Sequence, residues 1–204
     1  MTLAANGREF DLDQVCALRN PRKFPMSDRD FRPLEDRMAP ETALNLLREA
    51  TAGADDGELF FERRRSESLV FDDGRIKTAS YDASEGFGLR AVRGEVTGYA
   101  HSSEISEAAL RRAMGTARLA VGDGGGTWAE APRATNRRLY TDEDPIAGVT
   151  FPVKLDTLRE IDAFACSLDP RVVQVSATIA ASIQEVEILR PDGLQLRDVR
   201  PMTR

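Results

Sequence analysis

The stretch GADDGELFFERRRSESLVFDDGRIKTASYDASEGFGLRAVRGEVTGYAHSSEISEAALRRAMGTARLAVG, residues 53–122, decides the fold of this 204-residue chain. Leu59 and Phe61 fall on one side of an extended segment while Glu62 and Arg64 fall on the other, the period of a half-buried β-strand. We therefore predict an antiparallel meander, whose strand segments are Glu58–Arg65, Leu69–Phe71, Arg75–Tyr81, Gly86–Val92 and Glu95–His101.

Two turn signals separate these segments. Asp73-Gly74 is a strong hairpin signal because glycine tolerates the positive φ that tight hairpin turns require. Arg93-Gly94 predicts a second reversal of the chain. The strands on either side of each turn are expected to pair with one another.

A helix is predicted before this meander. Pro40 suits the first helical turn, Glu41 complements the positive helix end, and Gly53 marks the stop. The apolar positions form one stripe that is expected to face a sheet: Ala43, Leu44, Leu47 and Ala50 with Thr51.

A second helix is predicted after the meander. Ser106 is expected to cap it, and Ile105 and Leu110 are spaced for a hydrophobic staple. Gly122 ends it. Its apolar face is predicted to consist of Leu110, Ala113, Met114, Ala117, Ala120 and Val121.

The second half of the chain repeats this order. A helix from Phe151 stops at Asp169-Pro170, Val173 to Ala181 alternate as a strand, and Gln184–Leu189 is predicted to return. Arg190-Pro191-Asp192-Gly193 then predicts a hairpin turn before a last strand. We predict an α+β fold of two αβββ-type units, which share one sheet or form two packed sheets.

Four regions follow from this pattern. Residues 1–37 lack a sustained apolar period and are predicted to be a flexible N-terminal extension, with Met38 as an alternative translation start. The first unit covers 38–122, a glycine- and proline-containing linker covers 123–150, and the second unit covers 151–204. We expect the second unit to be truncated, because its last strand would otherwise expose an unpaired edge.

Composition narrows the functional class. The net charge is −6 and the pI is about 5.0, which disfavours a direct nucleic-acid partner because such proteins usually carry a basic surface. No apolar run is long enough to span a membrane, and the N-terminus lacks a secretory pattern. Cys16 and Cys166 are predicted to be reduced thiols, and the expected location is the cytoplasm.

No catalytic residue and no metal ligand are predicted from the residues themselves. His101 is the only histidine, whereas a zinc site needs several ligands together. The glycine-rich stretch 122–127 has no lysine and follows a helix, so it predicts a linker rather than a phosphate-binding loop. Strand alternation places Arg64 on the opposite face from Arg63 and Arg65, so the three arginines do not form one patch.

Six short stretches of the sequence, in their order along the chain, together resemble the amino-terminal domain of the TldD/PmbA family of zinc peptidases. The resemblance covers Pro40 to Arg204. The residues that carry it are Glu58–Glu62 with Ser66–Leu69, Asp73–Lys77, Gly86–Arg90, Thr97–Ala100 and Asp169–Val175.

The resemblance implies a cytoplasmic peptidase of two related subunits that degrades unfolded peptides, a family also labelled modulators of DNA gyrase. Its zinc is held by a His-Glu-x-x-x-His helix in a carboxy-terminal domain, and no position here matches that motif. The resemblance therefore implies a substrate-cleft and assembly domain that binds no cofactor itself and is inactive alone. The residues predicted as cleft or interface contacts are Arg63, Arg65, Tyr99 and His101.

Two partners are implied: a peptide substrate and a second TldD/PmbA-type subunit, in a homo- or hetero-oligomer. The alternative hypothesis is a naturally short, non-catalytic binding module that pairs with a full-length family member. Either way, enzymatic activity of this chain by itself is not predicted.

Overall fold

The computed structural model describes residues 2–5, 8–11, 31–121, 141 and 143–204. Strands β1 (Thr2–Ala5) and β2 (Arg8–Asp11) form an antiparallel hairpin of their own. The other elements are α1 Pro33–Asp36, α2 Pro40–Ala50, β3 Asp56–Asp72, β4 Arg75–Arg93, β5 Val96–Ser102, α3 Glu107–Val121, α4 Phe151–Leu168, β6 Ser176–Leu189 and β7 Gln195–Thr203.

The two halves of the chain share one antiparallel sheet, in the order β5-β4-β3-β6-β7. The predicted α+β class is confirmed, and of the two arrangements left open the single shared sheet is the one observed. Strand β3 of the first half pairs with β6 of the second half along Leu59–Asp72. The long central strand β3 therefore joins the halves by main-chain hydrogen bonds.

The strands are longer and fewer than predicted. The segments before and after Ser66 are one 17-residue strand, β3, and those on either side of Asp82 are one 19-residue strand, β4. The predicted return at Gln184 is wrong, because β6 runs without interruption to Leu189. The second half is therefore α4-β6-β7, with one strand fewer than an αβββ unit. No glycine, proline, asparagine or aspartate separates residues 176 and 189, so nothing there favours a turn.

The predicted reversals are confirmed. Asp73 and Gly74 have φ values of 52° and 71°, the two positive values of a type I′ hairpin turn between β3 and β4. Gly94 and Gly193, at φ 55° and 93°, lie in the turns that lead into β5 and β7. These turns set the antiparallel register across the sheet.

The helices begin and end close to the expected residues. Pro40 begins α2, and Gly53 has a φ of 79° just after its end. The buried stripe of α2 contains Leu46 where Leu44 was predicted, because Leu44 is only partly buried. Ser106 Oγ accepts a hydrogen bond from the Ala109 N–H at 3.1 Å, which confirms the predicted cap of α3.

One face of the sheet carries two separate apolar clusters. Helices α1, α2 and α3 cover the first cluster, which includes Leu59, Phe61 and Leu89. Helix α4 covers the second, where Leu158 packs with Leu69 and Phe71. The inward positions of β3 between the clusters are polar, and the candidate site lies there.

Part of the predicted extension belongs to the core. Phe31 is 8% exposed and Leu34 is fully buried, so the boundary predicted at residue 37 lies too late in the chain. Met38, the alternative start, is also buried in this cluster. The rest of the extension beyond the β1–β2 hairpin lies outside the described residues, and so does Cys16. Of the predicted linker 123–150, residues 123–140 and 142 also lie outside them.

Candidate functional site

A belt of charged side chains crosses the covered face between the two apolar clusters. On β3 it continues the inward positions of Leu59 and Phe61, with the next three odd-numbered residues in place of apolar ones. We call this group the polar belt, which consists of Arg63, Arg65, Glu67, Asp144, Lys154 and Glu185.

Arg63 and Glu185 form the best-defined ion pair of the polar belt. Arg63 Nε donates to Glu185 Oε2 and Arg63 Nη2 donates to Glu185 Oε1, both at 2.8 Å. The residues face one another in the register of β3 and β6, so the sheet itself positions the pair. The Arg63 guanidinium carbon lies over the Phe31 ring, 5.2 Å from the ring centroid.

Arg65 extends the network in the direction of α4. Its Nη1 lies 2.9 Å from Asp144 Oδ2, and its Nη2 lies 3.6 Å from Glu185 Oε2. The Nε and Nη2 atoms are buried without a hydrogen-bond acceptor. Arg65 is thus held by charge more than by hydrogen-bond geometry.

Lys154 of α4 forms an ion pair with Glu67 of the sheet. Its ammonium group donates to Glu67 Oε1 at 2.5 Å and to the Ile146 carbonyl at 3.0 Å. Only 5% of the Lys154 side chain is exposed, so this pair lies where ion pairing is least screened by water. Asp144 shapes the preceding turn by accepting from the Ile146 N–H at 2.8 Å.

The charges of the polar belt offset each other. Arg63, Arg65 and Lys154 face three carboxylates, which leaves no net positive charge for a substrate carboxylate or phosphate. These ion pairs therefore hold the two halves of the chain together. Arg63 and Arg65 lie together, as strand alternation predicts, but both are engaged in ion pairs.

Sequence reasoning missed the acidic half of this network and a second buried carboxylate beside it. Glu187 is fully buried, accepts from the Leu34 N–H at 3.2 Å and from Gln195 Nε2 at 2.5 Å. Glu185 and Glu187 share the inward positions of β6 with Ile183 and Leu189. A charged residue at an inward position of an alternating strand is the signal that could have found both.

Tyr99 and His101 lie on the opposite face of the sheet. Their rings stack on β5 with centroids 5.8 Å apart and an interplanar angle of 28°. Tyr99 is 58% exposed, and its hydroxyl lies 2.7 Å from the place that a Cβ at Gly88 would occupy. The Tyr99 ring therefore covers a glycine of the neighbouring strand, a common way to protect a sheet at glycine.

The four predicted contact residues accordingly form two pairs rather than one site. Tyr99 of β5 lies opposite Arg90 of β4, and Arg90 lies opposite Glu58 of β3. Glu58 is on the face of β3 away from Leu59 and Arg63. The face that carries Tyr99 and His101 is here called the open face. Arg64, also at an even-numbered position of β3, is exposed there.

The residues that the structure describes do not fit a zinc centre. Over the described residues, no group of three or more His, Cys, Asp or Glu side chains is placed to hold a metal ion. The single histidine stacks on Tyr99 and has no second histidine in the sequence to share a metal. Among the described helices, none has the length and apolar character needed to span a bilayer.

Comparison with known protein families accounts for both halves of the shared sheet. Residues 57–120 match PmbA/TldA metallopeptidase domain 1, and residues 144–204 match the PmbA/TldA metallopeptidase central domain. The chain belongs to the PmbA/TldD family. Its described part corresponds to the first two domains of that family in their usual order.

Curated relatives are named as TldD homologs. The chain is 33% identical to a metalloprotease TldD homolog of Buchnera aphidicola over 152 residues and 33% identical to one of Haemophilus influenzae over 158 residues. These matches cover 74% of this chain but 32% of each relative. The chain thus spans about a third of the length of the curated PmbA/TldD relatives it matches.

Solved structures show the same fold at low identity. TldE from Thermococcus kodakarensis matches with a TM-score of 0.59 and 16% identity, over 79% of this chain and 37% of that one. A Thermotoga maritima protein named for a proposed role as a modulator of DNA gyrase matches with a TM-score of 0.56 and 16% identity, over 80% and 37%. These likenesses establish the PmbA/TldD fold of the described residues.

Proposed function

We propose that this chain acts as the amino-terminal substrate-cleft and assembly domain of a TldD-like zinc metallopeptidase that cleaves unfolded peptides. One observation carries the proposal: two consecutive family domains are matched, while the sequence has a single histidine. A zinc peptidase needs at least three protein ligands and an open coordination position. Over the described residues no three potential ligands lie together, so the proposal gives the chain alone no peptide hydrolysis and makes its role contact and positioning.

We assign the two sheet faces different parts in this role. The polar belt keeps the halves of the sheet in a fixed register, because its ion pairs join β3 to β6 and to α4. The open face supplies the contact with the peptide or with a second family subunit, since Tyr99 and His101 are exposed there. Aromatic rings with an exposed polar edge suit contacts of this kind.

Peptide binding to the isolated chain tests the cleft role. The measurement is the change in amide chemical shifts on addition of an unfolded, extended peptide, with Tyr99→Ser and His101→Ala as variants. We expect shifts concentrated on β5 and weaker binding for both variants. Tyr81→Ser is the matched control, because Tyr81 is equally exposed, at 57%, but its strand position faces the covered side.

Shifts confined to the covered face, or equal binding by all three variants, would contradict the assigned role of the open face. Cytoplasmic location and the zinc of the full-length protein belong to the same proposal. Both are tested by fractionation and metal analysis of the complete gene product in its own cells.

A further inference from the structure

A short segment before α2 lies across the covered face of the sheet. We call residues 31–38 the strap; it contains α1, and its Phe31, Leu34 and Met38 side chains belong to the first apolar cluster. Hydrogen bonds, an ion pair and a cation–π contact connect the strap with four neighbouring strands, β7, β6, β3 and β4. The strap therefore contacts both halves of the shared sheet.

The second half of the chain holds the main chain of the strap. Arg197 Nη2 of β7 donates to the Phe31 carbonyl at 2.7 Å. Glu187 of β6 accepts from the Leu34 N–H at 3.2 Å. Glu187 and Arg197 lie opposite one another in the register of β6 and β7, so the sheet presents one acceptor and one donor side by side.

The first half of the chain contacts side chains of the strap. The Arg63 guanidinium carbon of β3 lies 5.2 Å from the centroid of the Phe31 ring. Arg37 Nη2 lies 3.3 Å from Glu85 Oε1 of β4, and these two side chains are 55% and 39% exposed. An exposed pair of this kind contributes little, so the polar contacts with the second half matter more.

Glu187 supplies what α1 lacks by itself. A helix of four residues is not stable alone, because too few hydrogen bonds offset the cost of starting it. The Leu34 N–H lies in the first turn, where N–H groups have no acceptor within the helix. The fully buried Glu187 carboxylate is that acceptor. Formation of α1 and docking of the strap are therefore one event.

The sheet does not depend on the strap for its main-chain hydrogen bonds. Within the described part of the chain, the N–H groups of residues 35–38 bond to the carbonyls of Arg32 and Pro33, inside the strap. Strand β3 bonds to β4 on one side and to β6 on the other. Loss of the strap would leave this ladder complete.

The buried carboxylate also keeps partners when the strap is absent. Glu187 Oε1 accepts from Gln195 Nε2 of β7, and Arg197 Nε lies 3.8 Å from the same oxygen. Both partners belong to the sheet. A state with the strap undocked therefore does not leave Glu187 as an isolated charge, which would be costly.

We propose that the strap is a conformational latch, which docks and undocks as one unit while the sheet stays folded, and that Glu187 is the positioning residue that keeps it docked. Segments held by few contacts open at a lower free energy than the strands of a core. Undocking removes the Phe31 ring from Arg63 of the polar belt and opens the first apolar cluster at Leu34. The latch is a motion within the chain and goes beyond the proposed peptidase role.

Amide hydrogen exchange of the whole chain tests the latch. The N–H groups of residues 34–38 are all hydrogen-bonded in the docked strap. In the parent chain they should exchange together, and at least roughly tenfold faster than the N–H groups of β3 that bond to β6. Glu187→Leu removes the acceptor of the Leu34 N–H with little change of size, and Arg197→Met removes the donor to the Phe31 carbonyl. Each should speed exchange of the strap by a further factor of roughly ten, with β3 unchanged.

Asp198→Asn is the matched control. It removes a carboxylate from the strand that carries Arg197, but at a position on the opposite face, where Asp198 pairs with Arg200 at 2.6 Å. Exchange of the strap should not change in this variant.

Trypsin provides a second readout. The bond after Arg37 precedes Met38, which is buried in the docked strap, so cleavage there requires undocking. Since such cleavage follows the population of the open form, it should be roughly tenfold faster in Glu187→Leu and in Arg197→Met than in the parent chain. Mass spectrometry identifies the cleaved bond.

Strap N–H groups that exchange no faster than those of β3 would overturn the proposal, because the strap would then open only with the sheet. Unchanged strap exchange in Glu187→Leu, or equal acceleration in Asp198→Asn, would also overturn it. If circular dichroism shows that Glu187→Leu has lost the sheet, Arg197→Met decides alone. Unchanged exchange of the strap in that variant, or loss of its sheet as well, would contradict the latch.

Discussion

Arg63 and Glu185 are 122 positions apart in the sequence and form a two-pronged ion pair with both distances at 2.8 Å. One lies in the first half of the chain and the other in the second. Their side chains are 24% and 12% exposed, so the pair is largely removed from water. The pair therefore fixes the register between the two halves at the centre of the sheet.

We expect Glu185→Ala to destabilise the fold by about 1–3 kcal/mol, because it leaves two partly buried arginines without their shared carboxylate. The measurement is the free energy of unfolding from urea denaturation. Asp198→Ala is the control, since its pair with Arg200 is exposed and should contribute within about 0.5 kcal/mol. Equal losses in the two variants would mean that the polar belt has no special part in joining the halves.

Lys154 and Glu67 should behave as a coupled pair. Lys154→Met leaves Glu67 in a partly buried place without its cation, and we expect a loss of about 2–4 kcal/mol. Lys154→Met with Glu67→Leu should recover much of that loss, because no unpaired charge then remains. A double-mutant cycle from denaturation curves gives the coupling, and a strictly additive cycle would contradict the pairing.

Two glycine substitutions should change stability in opposite directions. A Cβ at Gly86 would lie 2.5 Å from the main-chain oxygen of Ser102, so Gly86→Ala should destabilise by about 1–3 kcal/mol. A Cβ at Gly115, within α3, would meet nothing within 4 Å, so Gly115→Ala should stabilise by about 0.5–1 kcal/mol. The thermal midpoints of both variants check this, and a stabilised Gly86→Ala would show that β5 does not end against β4 as described.

Glu104 should make stability depend on pH at the start of α3. The Ser106 hydroxyl, first, and then the Arg112 guanidinium hold the pKa of the Glu104 carboxyl below its ordinary value of 4.5. Because the folded pKa is lowered, this stabilisation is present above the unfolded pKa and is lost as pH falls through the folded one. The thermal midpoint of the parent chain should exceed that of Glu104→Gln at pH 7, and the difference should vanish below the folded pKa.

Glu95→Gln is the control for this measurement, since it also removes one exposed carboxylate. A difference between parent and Glu104→Gln that stays constant from pH 7 to pH 2 would contradict the role of the ionised carboxylate.

The local features of the fold could be predicted because each depends on neighbouring residues. The Asp73-Gly74 hairpin and the Ser106 cap follow from turn and capping chemistry, and both are observed. The return at Gln184 was wrong because period-two alternation does not show where a strand ends. Alternation by itself cannot distinguish one long strand from two short ones when no turn residue intervenes.

The candidate site was harder to predict because it depends on register between distant strands. That Arg63 and Arg65 share a face follows from alternation, but their partner Glu185 is set by the pairing of β3 with β6. Tyr99 and Arg63 lie on opposite faces of the sheet, and this too could be predicted only with the order of the strands known. Hydrophobic pattern predicts which residues point inward, whereas the sheet decides which of them meet.

Metal content and peptidase activity of the homogeneous chain, measured together with added zinc, test the central claim most directly. A chain with one histidine should hold no stoichiometric zinc and cleave no unfolded peptide. Cleavage that a chelator abolishes, accompanied by one zinc per chain that persists in His101→Ala, would contradict it.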